Sequence, residues 1–236
     1  MKQVLLSILV IGILLLSACG APPETPSTLL KFIEPKAIEF SGQGNHVSSK
    51  FKLEAGITIT TMTHSGDSNF AIKLLDNTGR LVDRLVNETG VFDGSVAIGV
   101  KGDNIVGAKP GIHLLDITTD SDWTVLIKQP RPTTAEAPPL NITGKGCDVS
   151  PFFVLGEGLT VFDMTHDGDS DFAIILRSTD GKVTELLVNE IGSYSGKKAI
   201  RVKQGNIIGT RPGIHILSIT ADGNWAISIS QKAEAL

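Results

Sequence analysis

Short runs of alternating apolar and polar residues dominate the chain beyond its first turn-rich segment. Phe70, Ile72 and Leu74 alternate with Ala71 and Lys73, and Phe172, Ile174 and Leu176 occupy matching places later on. A period of two puts every second side chain on one face, so these runs predict strands with one face buried. Val47, Phe51 and Leu53 share one parity, and Ile57-Thr58-Ile59-Thr60 continues in the same β-branched language. Leu85-Val86-Asn87, Gly111-Ile112-His113-Leu114-Leu115 and Trp123-Thr124-Val125-Leu126-Ile127 complete the set. Between them lie turn sequences such as Asp76-Asn77-Thr78-Gly79 and Ser178-Thr179-Asp180-Gly181, where glycine supplies the positive φ of a tight reversal. Helix periodicity is nearly absent. Strands recurring about every 8–12 residues predict an all-β sandwich or a small closed barrel, and the sandwich, jelly-roll-like in character, is the expectation.

The pattern occurs twice. Gly42 to Gln129 aligns without a gap onto Gly144 to Gln231 at a constant offset of about 102 positions, with roughly half of the residues identical. The chain therefore divides into 1–18, a signal segment; 19–38, a tether; 39–129, a first β-sandwich repeat; 130–141, a proline-rich linker; and 142–232, a second repeat. Each repeat, at about 90 residues, is long enough to fold alone. The run Pro130-Arg131-Pro132 through Pro138-Pro139 reads as a semi-rigid spacer of about 3.1 Å per residue, which predicts two separate beads.

The start of the chain carries an address. Met1-Lys2 is followed by an apolar stretch from Val4 to Leu16, about 13 residues, too short to span a bilayer. Leu16-Ser17-Ala18-Cys19 then resembles a bacterial lipoprotein signal. That resemblance implies removal of residues 1–18, acylation of the Cys19 thiol with diacylglycerol and palmitate-type chains, and lipid anchoring outside the cytoplasm in the cell envelope. Multiple acyl chains give stable anchoring at about 0.8 kcal/mol per buried CH₂. Gly20 stands where an aspartate would resemble an inner-membrane retention signal.

Processing would remove one of 21 basic residues and none of the 25 acidic ones, making a net charge of −4 one unit more negative. No basic stripe is present, which argues against nucleic acid as a partner. With Cys19 lipidated, only Cys147 remains and no internal disulfide can form; its counterpart in the first repeat is Asn45.

A further resemblance rests on Thr63-His64-Ser65-Gly66-Asp67-Ser68-Asn69-Phe70, Leu85-Val86-Asn87, Gly90, Gly94 and the Trp123 strand. This string is similar to a recurrent, largely uncharacterised β-sandwich module of bacterial secreted proteins and lipoproteins. It implies an extracytoplasmic all-β domain and brings no active site with it.

Four constellations are candidates for chemistry. Asp167, Asp169 and Asp171 alternate in one loop, a spacing that can converge on Ca²⁺. The first repeat offers only Asp67 there, and Ser178 stands where an EF-hand needs glutamate. The plainer reading is a turn whose side chains satisfy their own backbone, with no cofactor at all. Gly168-Asp169-Ser170 invites comparison with hydrolases, using His166 with Ser170 or Asp169, yet the helices such enzymes need are missing. His64 pairs with His166 and His113 with His215 across the repeats; each is a candidate ligand-binding group or a hydrogen-bonded scaffold residue. Trp123 and Trp225 could stack on a sugar, but each opens an apolar strand, where an indole enters the core. The expectation is a non-catalytic, membrane-anchored pair of binding or structural modules, with a cell-surface glycan or envelope protein as partner. A Ca-dependent carbohydrate binder and a hydrolase are the alternatives.

Overall fold

A computed structural model describes residues 33–105 and 107–232; the signal segment and Cys19 lie outside the described residues. The first repeat runs β1 (Ile38–Gln43), β2 (His46–Val47), β3 (Phe51–Leu53), β4 (Gly56–His64), β5 (Asn69–Asp76), β6 (Leu81–Thr89), β7 (Phe92–Val100), β8 (Gly111–Thr118) and β9 (Asp122–Lys128). The second repeats the series as β10 (Leu140–Lys145), β11 (Asp148–Val149), β12 (Phe153–Leu155), β13 (Gly158–His166), β14 (Asp171–Ser178), β15 (Val183–Ile191), β16 (Tyr194–Val202), β17 (Gly213–Thr220) and β18 (Asn224–Lys232). No helix occurs among the described residues, and so none long and apolar enough to cross a membrane.

Each repeat is a sandwich of two antiparallel sheets, β1-β9-β4-β7 over β2-β8-β5-β6 in the first and β10-β18-β13-β16 over β11-β17-β14-β15 in the second. β3 and β12 pair with the same neighbours as β2 and β11, so each pair is one interrupted strand and eight strands wrap as a jelly roll. The interruption is held by a buried serine. Ser48 donates its N–H to Leu115 O and accepts the Leu115 N–H at Oγ, and Ser150 does the same with Leu217.

The alternation read from the sequence places the cores. Met62, Phe70, Ile72, Leu74, Trp123, Val125 and Ile127 pack together in the first repeat; Met164, Phe172, Ile174, Leu176, Trp225, Ile227 and Ile229 pack in the second. Both indoles are buried and donate Nε1–H to backbone carbonyls, Gly44 O at 3.0 Å and Gly146 O at 2.9 Å. They pack against Gly42 and Gly144: a β-carbon on Gly42 would sit 2.8 Å from Trp123 Cζ2, and one on Gly144 would overlap Trp225 Cζ2 more closely still. An indole so placed belongs to the core and offers no stacking platform.

The expectation of separate beads is corrected. The described residues form one compact unit. The two cores stay distinct, but a third cluster of Ile57, Ala97 and Ile216, with Ile59, Val149 and Phe152 against it, joins them. The β7 edge, whose outward N–H groups would otherwise be open to pairing, is capped by the second repeat. Ser95 N donates to Cys147 O at 3.1 Å, Ala97 N to Ser218 Oγ at 3.2 Å, and Ile57 N to Thr179 O at 3.0 Å. The linker follows the surface instead of spanning a gap: Arg131 Nη2 donates to Ala55 O, and Val154 N donates to Glu136 O. Composition gave a stiff segment, and packing decided where it lies.

The matching edge, β16, carries charges where β7 carries small residues. Lys197 stands for Ser95 and Arg201 for Gly99; Lys197 pairs with Asp163 at 2.7 Å and Lys198 with Glu185 at 3.5 Å. Charged side chains on an open edge oppose strand addition.

Candidate functional site

His64 and His166 end β4 and β13 and are buried against Phe70 and Phe172, stacked at 4.7 and 4.5 Å between ring centres. His64 Nδ1 donates to Gly90 O at 2.8 Å, because a carbonyl only accepts; Nε2 then accepts the Thr119 hydroxyl at 2.6 Å. His166 Nδ1 donates to Gly192 O, and Nε2 receives Gly223 N–H, with Asp222 Oδ1 at 3.1 Å. Both rings clamp loops across the end of the sandwich. Neither Ser170 nor Asp169 offers a side-chain hydrogen bond to His166, so the structure assembles no nucleophile and base there.

The recurrent Gly-Asp-Ser has a packing cause. A β-carbon on Gly168 would sit 2.6 Å from His166 Nε2 and 2.7 Å from Asp222 Cγ; one on Gly66 would sit 2.6 Å from Ser121 Cβ. Asp222 accepts the Asp169 and Ser170 amides, and the first repeat's Asp120 accepts the Ser68 hydroxyl. Asp167 accepts Asn224 N and Nδ2, and these bonds hold its pKa below the usual carboxylate range. Asp169 and Asp171 are exposed. The three carboxylates do not converge: among the described residues no group of three His, Cys, Asp or Glu side chains could hold a metal ion. Cys147 is a half-buried free thiol, its pKa pushed up by burial, with Sγ 3.6 Å from Ala221 O.

His113 and His215 occupy a different kind of place. Each is the third residue of β8 or β17, at the floor of a cleft of about 450 Å³ in the first repeat and about 510 Å³ in the second. The walls are built from the same positions in both copies. One wall is the β5–β6 turn, with Arg80 in the first repeat and Lys182 in the second. The other is the loop before β8 or β17, with Ile105, Lys109 and Pro110 matched by Ile207, Arg211 and Pro212. Volumes of this size fall within the range of small-ligand sites.

Local bonds give the clefts their shape. Asp76 accepts Thr78 Oγ1–H, Thr78 N–H and Arg80 N–H, closing the turn; with the Thr78 hydroxyl foremost, these bonds lower its pKa to about 2. Asn104 Nδ2 donates to Ala108 O at 2.8 Å, and Gly209 N donates to Asn206 Oδ1, so each loop is tied across its own neck. Lys182 Nζ donates to Ile207 O at 2.9 Å, and Arg211 Nε donates to Asn206 O. Lys101, from the first repeat, reaches Asp180 at 3.5 Å, so the contact between repeats extends the second cleft.

The histidines at the floor have one nitrogen committed. His113 Nδ1 donates to Gly111 O at 3.1 Å and His215 Nδ1 to Gly213 O at 2.9 Å. Burial pushes both imidazole pKa values down, so the rings stay neutral near pH 7. The Pro-Gly-x-His string and its histidines were legible in the sequence. The basic rim was missed, although Lys109 and Arg211 directly precede those strings and exchange identity while keeping charge.

No protein-family model matches the chain, and no curated protein sequence matches it. Among solved structures, a conserved protein of unknown function, PA5104 from Pseudomonas aeruginosa PAO1, aligns over 83% of this chain and 79% of its own at 14% identity and a TM-score of 0.22. The PBSX exported protein XepA aligns over 84% and 86% at 9% identity and a TM-score of 0.26. An oxalate decarboxylase aligns over 84% and 78% at 8% identity and a TM-score of 0.17. Scores this low carry no argument about function, so the chain's own clefts must.

Proposed function

We propose that this protein is a lipid-anchored, extracytoplasmic binding module of the bacterial envelope, non-catalytic, with two equivalent ligand sites on one tether. The observation that carries the binding half is that one cleft, with a basic rim and a histidine floor, recurs at the same positions in both repeats. Core packing alone requires no cation on an exposed loop, yet each copy keeps two. The anchoring half rests on the Leu16-Ser17-Ala18-Cys19 string.

Two sites on one chain raise avidity when both engage one polymer, by about 10²–10⁴ over a single site. The test displays the full lipidated chain on vesicles and measures retention of fluorescently labelled envelope polysaccharide. Ile112→Trp and Ile214→Trp fill the clefts from half-exposed positions. Each alone is expected to weaken retention at least tenfold, and the pair to abolish it. Retention by the double variant at the wild-type level would remove the clefts as sites. Cys19→Ser is expected to release the chain from membranes; unchanged membrane partition of that variant would remove the anchor.

A further inference from the structure

Three chemical demands recur in both clefts, and together they describe a ligand. The first is charge. Arg80 and Lys109 face Asp76 in the first cleft; Lys101, Lys182 and Arg211 face Asp103 and Asp180 in the second. Each cleft thus holds one cation more than carboxylates, on a protein whose net charge is −4. Arg80 and Lys109 become Lys182 and Arg211, so the charge is kept while the side chain changes. Local charge against the sign of the whole molecule concentrates an anion at the rim.

The second demand is a proton donor. With Nδ1–H given to a glycine carbonyl, each floor histidine presents Nε2 as an acceptor, and neither Nε2 has a hydrogen-bond partner among the described residues. Among the described residues neither Nε2 is a buried atom left without a partner, so each is open to the cleft, where a ligand hydroxyl can donate to it in place of water. The third is an aliphatic wall. Ile105 and Ile207 line the clefts with 98% and 80% of their surface exposed, beside Pro110 and Pro212. No Phe, Tyr or Trp side chain lines either cleft.

We infer that each cleft takes one acidic saccharide unit, its anionic group on the Arg80/Lys109 or Lys182/Arg211 rim and a ring hydroxyl donating to Nε2 of His113 or His215. The aliphatic wall receives the C–H face of the ring. This inference rests on the binding function proposed above and names its ligand class. The shared chemistry, one negative charge beside hydroxyls on a sugar, fits a uronic acid and a sugar phosphate alike.

Equilibrium binding to the full chain in detergent tests it, with a galacturonate trimer, the neutral galactose trimer, glucose 6-phosphate and inorganic phosphate as ligands. The acidic sugars are expected to bind at least tenfold more tightly than the neutral trimer and than inorganic phosphate. The stronger of galacturonate and glucose 6-phosphate identifies the anion. Raising salt is expected to weaken binding, because the rim is exposed. Lys109→Gln with Arg211→Gln, both at exposed positions, is expected to cost roughly tenfold or more for the acidic ligands, the scale of one lost charge-assisted hydrogen bond. Unchanged circular dichroism would show the fold intact.

Equal binding of neutral and acidic trimers, lost on Ile112→Trp with Ile214→Trp, would overturn the acidic class while leaving the clefts as binding sites. Inorganic phosphate binding as tightly as the sugars would overturn the saccharide. Failure of every ligand, or binding indifferent to all four substitutions, would overturn the inference; indifference would also remove the clefts.

Discussion

Gly99→Ala is the sharpest test of how the two repeats are joined. Gly99 lies in β7 with an extended backbone, so an L-residue brings no conformational strain of its own. The β-carbon, however, would overlap the Gly181 carbonyl oxygen and stand 2.6 Å from its carbon and 3.0 Å from its Cα. Ordinary carbon contacts begin near 3.4 Å, so β7 and the turn at Gly181 must part by roughly 1 Å. Backbone atoms cannot rotate aside as a flexible side chain would. The separation falls on three bonds within a few residues: Ile57 N to Thr179 O, Ala97 N to Ser218 Oγ and Ser95 N to Cys147 O. At about 1 kcal/mol net each, their loss weakens the junction by about 3 kcal/mol. That corresponds to about two orders of magnitude in the opening equilibrium. Amide hydrogen exchange reads this directly. The amides of Ser95, Ala97 and Ile57 are expected to exchange about 10²-fold faster, while those of Met62 and Phe172 in the two cores keep their protection. Unchanged exchange at all three junction amides would refute the reasoning, and so would equal acceleration in the cores. Arg201, at the matching position of β16, shows that the strand itself accepts a side chain there.

Three further outcomes are expected. Gly144→Ala drives a β-carbon into Trp225 Cζ2, with Cε2 and Cη2 at 2.8 Å, and should destabilise the protein by about 1–3 kcal/mol by overpacking, measured as a lower urea midpoint. Thr119→Val removes the hydroxyl that satisfies His64 Nε2 and should cost about 1–2 kcal/mol in the same assay, whereas a neutral result would deny the clamp its role. The third concerns pH. His113 and His215 have folded-state pKa values below their unfolded ones, chiefly through burial. Their contribution is therefore complete above the unfolded value of about 6.5 and lost as pH falls through the folded values. Melting temperature should be level from pH 8 to 7 and decline below about 6.5. A rise on acidification would reverse the assigned sign.

Much of the fold was legible because it is periodic. Phe70, Ile72 and Leu74 announce one buried face wherever they occur, and Trp123 reads as core because its strand continues with Val125 and Ile127. The histidines were legible as residues without their roles. His64 and His113 look alike in the sequence, yet one has both nitrogens bonded to loops and the other has a nitrogen free at a cleft floor. The Asp167, Asp169 and Asp171 spacing promised convergence that the turn does not deliver, because Asn224 engages Asp167.

By itself, then, the sequence determined the strands, the turns, the duplication and the makeup of two cores, since side-chain alternation and glycine conformation are local properties. The tertiary structure alone decided the docking of the repeats and the existence of the clefts. Docking depends on backbone donors along β7 and on the close approach of Gly99 to Gly181, neither of which any side-chain pattern encodes. The clefts bring Arg80 to Lys109 and His113, which lie far from it in the chain and adjacent to it only after β5, β6 and β8 have paired.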